Sequence, residues 1–424
     1  MKKYQSLKGF YDVLPEQQKY WRFFYKTAYR ILDQFAYQEI KLPVVENTDL
    51  YIHSVGQQTD IVQKEMYTWT DSLNNDQLTL RPEGTAGCVR AVIENNLTYN
   101  GPIRLFYHGP MFRHENVQKG RQRQFNQLGI EAFGFSEPAL DVEMILLLDS
   151  FWKKLGLKNI ELQINNIGDP DERLAYKKKL IDYFSSKKEL LDEDSLNRLE
   201  SNPLRILDSK NPELKSVIDG APKFLDEVGL ESANHFNEVC KLLDQQNIKY
   251  SINKNLVRGL DYYNRTVFEF VSYDLGSQGT IAGGGRYDYL IESINDQHTP
   301  ALGVGIGIER VILLLEQQDL ALDNSVDFYL LSLGENINSY AFDIANIVRN
   351  NGYSILMNIG NTSFKSQMKK ADKSGAQIAI IVGEDEFNKN SLQIKLLRNE
   401  GSQQELQFKD FEKFITNNET LIRS

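Results

Sequence analysis

Cysteine is almost missing from this chain of 424 residues: Cys88 and Cys240 are the only two. Two thiols cannot build a disulfide framework or a cysteine-rich zinc site, so the plain reading is a pair of reduced cytosolic thiols. Long apolar runs are missing too, and nothing approaches the ~18 residues that a membrane helix needs. The opening stretch, MKKYQSLKGFYD, has two lysines followed by no apolar segment. A secretory signal is therefore not expected, and the cytoplasm is the expected compartment. An excess of positive charge is lacking as well. The 48 Lys+Arg stand against 58 Asp+Glu, for a net charge of −10, which excludes a sequence-blind nucleic-acid coat protein. The five histidines (His53, His108, His114, His235, His298) have no metal-ligand spacing. No serine or cysteine sits in a recognisable triad motif. What is present is 41% hydrophobic and 11% aromatic residues, enough for real cores and too ring-rich for disorder.

The pattern along the chain predicts an α+β protein. Tyr20 to Phe35 has helical spacing, and Glu39 to Val45 alternates like a strand interrupted by Pro43. Met66 to Thr70 and Gln77 to Leu80 read as a hairpin around the turn residues Asp71 to Asp76. Ala86 to Glu94 and Asp141 to Leu155 read as helices. Ile103 to His108 and Gln127 to Phe133 read as strands joined by a basic loop. Residues 171–252 are rich in Lys and acid clusters at helical spacing, which predicts a helical insertion. Leu256 to Phe270 and Gly276 to Ala282 return to strand composition. A boundary is expected near 320–326, and beyond it strand–helix–strand alternation predicts a small α/β domain.

Two constellations carry chemistry. In the first, Phe112-Arg113-His114-Glu115 ends a strand, and Lys119-Gly-Arg121-Gln-Arg123-Gln-Phe125 follows. A glycine-bearing loop with three more cations can close on polyphosphate, and Phe125 can stack on a base. In the second, Gly303, Gly305 and Gly307 alternate with apolar residues and run into Glu309-Arg310. Alternation in a strand puts all three glycines on one face. A face without side chains lets a flat object lie against the backbone.

These runs resemble motifs 2 and 3 of the class II aminoacyl-tRNA synthetases, and Tyr20 to Leu50 with Pro43 resembles the dimer-forming motif 1. Leu256-Val-Arg258-Gly-Leu-Asp-Tyr262-Tyr263, Leu80-Arg-Pro-Glu83-Gly-Thr85-Ala and Gly283-Gly-Gly-Arg286-Tyr287-Asp are similar to the signatures of the histidyl-tRNA synthetase family. The resemblance spans essentially the whole chain and is of the bacterial type. It implies a class II catalytic domain over 1–325, an antiparallel sheet flanked by helices that includes the helical insertion. It also implies an α/β anticodon-binding domain over 327–424.

The implied reaction makes histidyl-adenylate from L-histidine and ATP, then charges the 3′-terminal adenosine of tRNA(His). The implied enzyme is a homodimer with no membrane association. ATP is a substrate and brings Mg²⁺ with its phosphates, so no metal is held by the protein alone. By resemblance, Arg113 serves the α-phosphate and the amino-acid carboxylate. Arg258 stands opposite, doing what a metal ion does in other class II relatives. Glu115, Arg121, Arg123 and Arg310 belong to the ATP site, with Phe125 and Arg310 around adenine. Glu83, Thr85 and Gln127 would take the ammonium of histidine. Glu131 and Tyr263 would pair the imidazole, with Tyr262 and Tyr287 beside it.

Two rival readings are separable on residues. Non-catalytic paralogues that regulate histidine biosynthesis typically lack the C-terminal domain and have eroded ATP motifs. Here residues 327–424 are present, as are Arg113, Arg258 and Arg310. A class II enzyme for threonine, proline or glycine would lack the Leu256–Tyr263 run. The net charge also resolves locally. Arg113, Lys119, Arg121 and Arg123 against Glu115 leave three positive charges, and so do Lys365, Lys369, Lys370 and Lys373 against Asp372. Global charge sets nonspecific attraction while a few placed cations set register, so the acidic total leaves room for a selective RNA partner.

Overall fold

The computed structural model describes residues 4–199, 203–207, 209, 211–318, 320, 322, 326–335, 337–360, 362–398 and 403–422. The chain divides into two compact units, Met1–Leu320 and Ala321–Ser424. Of the boundary expected over 320–326, positions 321 and 323–325 lie outside the described residues.

The first unit opens with helix α1 (Gln18–Gln34), whose Trp21, Phe24, Ala28, Ile31 and Leu32 recur at helical spacing and are buried. Short strands β1 (Gln38–Glu39) and β2 (Val45–Asn47) flank Pro43, where the expected single strand is broken. Helix α2 (Thr48–Val55) follows, capped by the Asn47 side chain. The hairpin β3 (Tyr67–Thr70) and β4 (Gln77–Leu80) then leads into α3 (Thr85–Glu94). Next come β5 (Ile103–Phe112), β6 (Gln124–Phe133), α4 (Pro138–Lys154) and β7 (Ile160–Asn166). A helical stretch follows with α5 (Pro170–Ser185), α6 (Glu193–Arg198), α7 (Leu204–Leu207), α8 (Lys215–Asp219) and α9 (Leu230–Gln245). The unit closes with β8 (Ser251–Ile252), β9 (Asn264–Ser272), β10 (Thr280–Arg286), α10 (Glu292–Asn295), β11 (Ala301–Gly307) and α11 (Ile308–Glu316).

Eight strands form one sheet in the order β1-β5-β6-β11-β10-β9-β7-β8. The six inner strands pair antiparallel, and only the short edges β1 and β8 are parallel to their neighbours. Alternation divides the two faces. Leu128, Ile130 and Ala132 of β6 and Leu302, Val304 and Ile306 of β11 join α1, α4, α9 and α11 in the main core. The positions between them face the other way and build the site described below.

Three sequence expectations change. The strand expected from Gly276 starts only at Thr280, after a 3₁₀ stretch over Tyr273–Gln278. The strand expected from Leu256 starts only at Asn264, and residues 256–263 are loop and turn. Gly259 and Asp261 favour a turn there, and the Asp261 amide is bound by the Val55 carbonyl at 3.1 Å. The helical insertion expected over 171–252 is also shorter as a separate body. Its own core runs from Tyr176 to Phe224. Helix α9 instead places Phe236, Val239 and Leu243 in the main core beside α4.

The second unit holds β12 (Phe328–Leu333), α12 (Asn338–Asn350), β13 (Ile355–Met357), α13 (Phe364–Lys373), β14 (Ile378–Gly383), α14 (Glu384–Lys389), β15 (Ser391–Leu396), β16 (Gln404–Gln407), α15 (Phe408–Asn417) and α16 (Glu419–Ile422). Its sheet order is β13-β12-β14-β15-β16, parallel across the first three strands and antiparallel after them.

One buried ion network pins the site-bearing strand β10 to α4. Arg286 is fully buried and bonds Asp141 Oδ2 (2.8 and 2.9 Å), Asp288 Oδ1 (3.1 Å) and the carbonyls of Phe135 and Glu137 (3.0 and 2.8 Å). Breaking such a network by removing one partner leaves a carboxylate buried without its counter-charge. Arg286→Met should therefore destabilise the first unit by about 3–5 kcal/mol in denaturant unfolding; a loss under about 1 kcal/mol would show that His235, whose Nε2 lies 3.4 Å from Asp141 Oδ1, suffices as its partner.

Candidate active site

The site follows from strand parity. Gln127, Gly129 and Glu131 of β6 pair with Gly307, Gly305 and Gly303 of β11, and Gly305 and Gly303 pair onward with Gly283 and Gly285 of β10. Cross-strand partners share a face. Three adjacent strands thus present almost no side chains there, and neighbouring side chains fold into the hollow. A Cβ on Gly303 would collide with the Glu131 carboxylate, one on Gly305 with the Gln127 amide, and one on Gly283 with the Arg258 guanidinium. Tyr107, at the matching position of β5, lies across Gly84 and Gly129 in the same way. The three alternating glycines are thus not simply a bare floor. Gly303 is covered by Glu131 and Tyr287, while Gly305 and Gly307 reach the cavity.

The cavity has a volume of about 200 Å³, and eleven of the fourteen sequence-predicted residues line it: Glu83, Thr85, Arg113, Glu115, Arg121, Phe125, Gln127, Arg258, Tyr262, Tyr263 and Arg310. Arg123 does not. Its side chain packs over Gly9, and its Nε donates to the Glu115 carbonyl at 3.3 Å. Glu131 and Tyr287 lie one layer beneath the lining.

One end of the cavity is cationic. Arg113 Nε donates to the Pro82 carbonyl (2.9 Å), and its guanidinium lies 5.4 Å from the Phe125 ring centre. Arg121 pairs with Glu115 at 3.2 Å. Arg310 Nε donates to the Gly120 carbonyl at 3.1 Å, and its Nη1 reaches the Thr280 carbonyl. Burial, then repulsion from Arg121, lowers the pKa of Arg310. Arg258 is ion-paired with Glu269 and sits 5.6 Å over the Tyr263 ring. Its Nε is buried without a hydrogen-bond partner.

The other end is acidic and hydroxyl-rich. Glu83 caps α3, accepting the amides of Thr85 (2.7 Å) and Ala86 (2.9 Å). Burial raises its pKa, against the pull of those two amides. Gln127 Oε1 is buried and accepts no hydrogen bond. Glu131 is wholly buried, with Thr85 Oγ1 and Tyr107 OH donating to Oε1 (both 2.8 Å) and Tyr287 OH donating to Oε2 (2.6 Å). Burial pushes its pKa up to about 8, although the hydroxyls of Tyr287, Thr85 and Tyr107 pull the other way. The Tyr262 and Tyr263 rings lie 4.6 Å apart, and Tyr287 is 5.5 Å from Tyr262.

Sequence reasoning missed Tyr107, Glu269, Thr280 and Glu309. Glu269 pairs with Gly283 across β9 and β10 and accepts Thr280 Oγ1 at 2.9 Å. A lone acid inside the apolar run Val267-Phe-Glu269-Phe-Val was the available signal. Glu309 closes the cavity by accepting the Asn126 amide at 2.7 Å and its side-chain nitrogen at 2.9 Å. Among the described residues, no group of three or more His, Cys, Asp or Glu could hold a metal ion.

Comparison with known proteins bears on this geometry. A family model described as histidyl-tRNA synthetase matches residues 9–311, and one described as anticodon binding domain matches 327–418. A curated relative from Methylobacillus flagellatus, named histidine–tRNA ligase, is 56% identical over 95% of this chain and 97% of its own. One of the same name from Laribacter hongkongensis is 48% identical over 95% of this chain and 96% of its own. Among solved structures, apo histidyl-tRNA synthetase from S. aureus superposes with a TM-score of 0.81 at 32% identity, covering 97% of this chain and 99% of that one.

The shift at Glu131 has a thermodynamic consequence. Its folded pKa stands above the ordinary carboxylate value of about 4.3, so folding favours the protonated form. The stability this contributes is full below that value and is lost as pH rises through about 8. In Glu131→Gln this dependence should vanish. The thermal midpoint of the ligand-free wild type should fall relative to the variant between about pH 5 and 8.5, and parallel curves would contradict the shift.

Proposed function

The chain belongs to the histidyl-tRNA synthetase family and joins histidine to tRNA at the expense of ATP; on that premise we propose how its residues divide the work. In the first step an oxygen of the histidine carboxylate attacks the α-phosphorus of ATP, and the bond to the β-phosphate oxygen breaks, releasing pyrophosphate. An anion attacks an anion, so charge repulsion is the obstacle. Arg113 and Arg258 flank the α-phosphate and offset its developing charge. Arg121 and Arg310 take the outer phosphates, and Glu115 holds Arg121 in reach. Phe125 and Arg310 hold the adenine. In the second step the 3′-terminal adenosine hydroxyl of tRNA(His) attacks the activated carbonyl, and AMP departs.

Mg²⁺ enters with ATP as part of the substrate. The carboxylates in the lining suit this role: Glu83 is bound to amides, Glu115 to Arg121 and Glu309 to Asn126. Two phosphate oxygens and water, rather than a protein carboxylate cage, then hold the ion.

Histidine takes the opposite end. Its ammonium meets Glu83, Thr85 and the unpartnered Gln127 Oε1, the single observation that most favours an amino-acid ammonium here. Its ring lies among Tyr262, Tyr263 and Tyr287, one nitrogen to Tyr263 and the other to Glu131, displacing a hydroxyl that now occupies that carboxylate. A pocket that pairs both ring nitrogens leaves buried polar groups unpaired for other amino acids, a route to discrimination of about 10⁴–10⁵. We further propose that residues 1–325 form the catalytic domain and 327–424 read the anticodon, where Lys365, Lys369, Lys370 and Lys373 supply cations on α13. A homodimer built on motif 1, working in the cytoplasm where tRNA is charged, completes the reading.

The purified protein should catalyse histidine-dependent exchange of pyrophosphate into ATP; exchange with another amino acid and none with histidine would overturn the assignment. Arg258→Ala should lower that exchange by about 10²–10³-fold, the cost of one preorganised donor, while far-UV circular dichroism stays that of the wild type. Near-wild-type exchange would remove Arg258 from the chemistry.

A further inference from the structure

The loop 256–263 carries Arg258, Tyr262 and Tyr263, but packed side chains do not back it on the side of α5. A second cavity of about 280 Å³ lies there, walled by Leu174, Leu207 and Phe224 from the helical stretch and by Val257, Leu260 and Arg258 from the loop. Arg258 and Leu260 thus separate two cavities. What holds the end of the loop is polar and comes from the first turn of α5. Arg173 donates to the Tyr263 carbonyl. Asp169, the N-cap of α5, accepts Asn264 Nδ2 (3.1 Å), Arg265 Nε (3.0 Å) and Arg265 Nη2 (2.9 Å). Asp169 and Arg173 are four residues apart and so share one face of the helix entry. Arg265 has a φ of 45°, a left-handed conformation rare for a residue with a side chain. Two backbone bonds and the carboxylate fork hold it there: Arg265 N to Gly168 O at 2.9 Å, Ile167 N to Arg265 O at 2.8 Å, and Asp169 across its guanidinium. Glu172 locks the turn in place, accepting the Asp169 amide and Ser232 Oγ, both at 2.7 Å.

We propose that Asp169 and Arg173 are positioning residues for histidine: the first turn of the helical insertion sets where Tyr263 stands, while Arg258, at the other end of the loop, is held by Glu269 of β9. The inference rests on the assignment of Tyr263 to histidine made above. Neither positioning residue need touch histidine, since each acts on the backbone or the side chain next to Tyr263. The Tyr263 end of the loop, held by a few polar ties beside a cavity, moves when one tie is cut, whereas the ATP end, built on β5, β6 and α11 with Arg258 held by Glu269, does not.

The test compares Arg173→Ala, Arg173→Lys and Asp169→Asn with Lys179→Ala, a change further along α5 where Lys179 pairs with Glu227 at 2.8 Å. Pyrophosphate exchange gives KM for histidine and for ATP, and calorimetric titration gives histidine affinity without turnover. Arg173→Ala should raise KM and Kd for histidine roughly tenfold, short of the about 10²-fold that a 1 Å misplacement can cost. KM for ATP should stay within about twofold. Arg173→Lys should recover most of the loss, and Lys179→Ala should match the wild type. Wild-type histidine affinity in Arg173→Ala, or equal losses for histidine and ATP, would overturn the proposal. If Arg173→Ala does not fold, Asp169→Asn decides by the same ratio. A wild-type protein that binds no histidine would instead overturn the substrate assignment itself.

Discussion

The site depends on one steric constraint: three neighbouring strands must carry glycine at facing positions. Gly303, Gly305 and Gly283 each lie where a Cβ would occupy the space of a functional side chain. Sheet strands are 4.7–4.9 Å apart, so side chains rising from β6 have no room to lie flat unless their cross-strand partners have none. Removing the methyls lets Glu131, Gln127 and Arg258 lie against the backbone. The cavity floor is then polar, although the opposite face of the same strands is packed with Leu, Ile and Val. The parity of β6 and β11 thus decides at once what is core and what is site.

The electrostatics follow from that geometry. Because the hollow is sunk into the sheet, its charges are largely withdrawn from water, and interactions there are stronger than on a surface. Cations gather at one end, where Arg310 is lowered by burial and by its neighbours. Carboxylates gather at the other, where Glu131 and Glu83 are raised by burial. One end offers cationic donors and the other oxygen acceptors, which suits a substrate pair bringing phosphates to one side and an ammonium to the other.

Much of this was legible in the sequence because it is carried by local patterns. Alternating glycines, Phe112-Arg113-His114-Glu115 and Leu256 to Tyr263 are contiguous, and strand parity translates them directly into one face. What was not legible depends on register between distant segments. Arg123 turns away from the cavity because Gly9, far away in sequence, leaves room for its side chain. Glu131 is covered because Tyr107 arrives from β5 and Tyr287 from just past the end of β10. Helix α9 joins the main core because Phe236, Val239 and Leu243 meet α4; its helical period is the same as that of the insertion helices, so periodicity could not separate them. The loop 256–263 looked like a strand because its apolar residues line cavities rather than pair with a neighbour.

The central claim is that the glycines exist to admit particular side chains. A double-mutant cycle on Gly305→Ala and Gln127→Ala, read as kcat/KM for histidine in pyrophosphate exchange, tests it most directly. The account predicts a strongly non-additive cycle: Gly305→Ala costs activity in the wild type and almost none once Gln127 is alanine. Losses that simply add would contradict it, because Gly305 would then be acting on something other than Gln127.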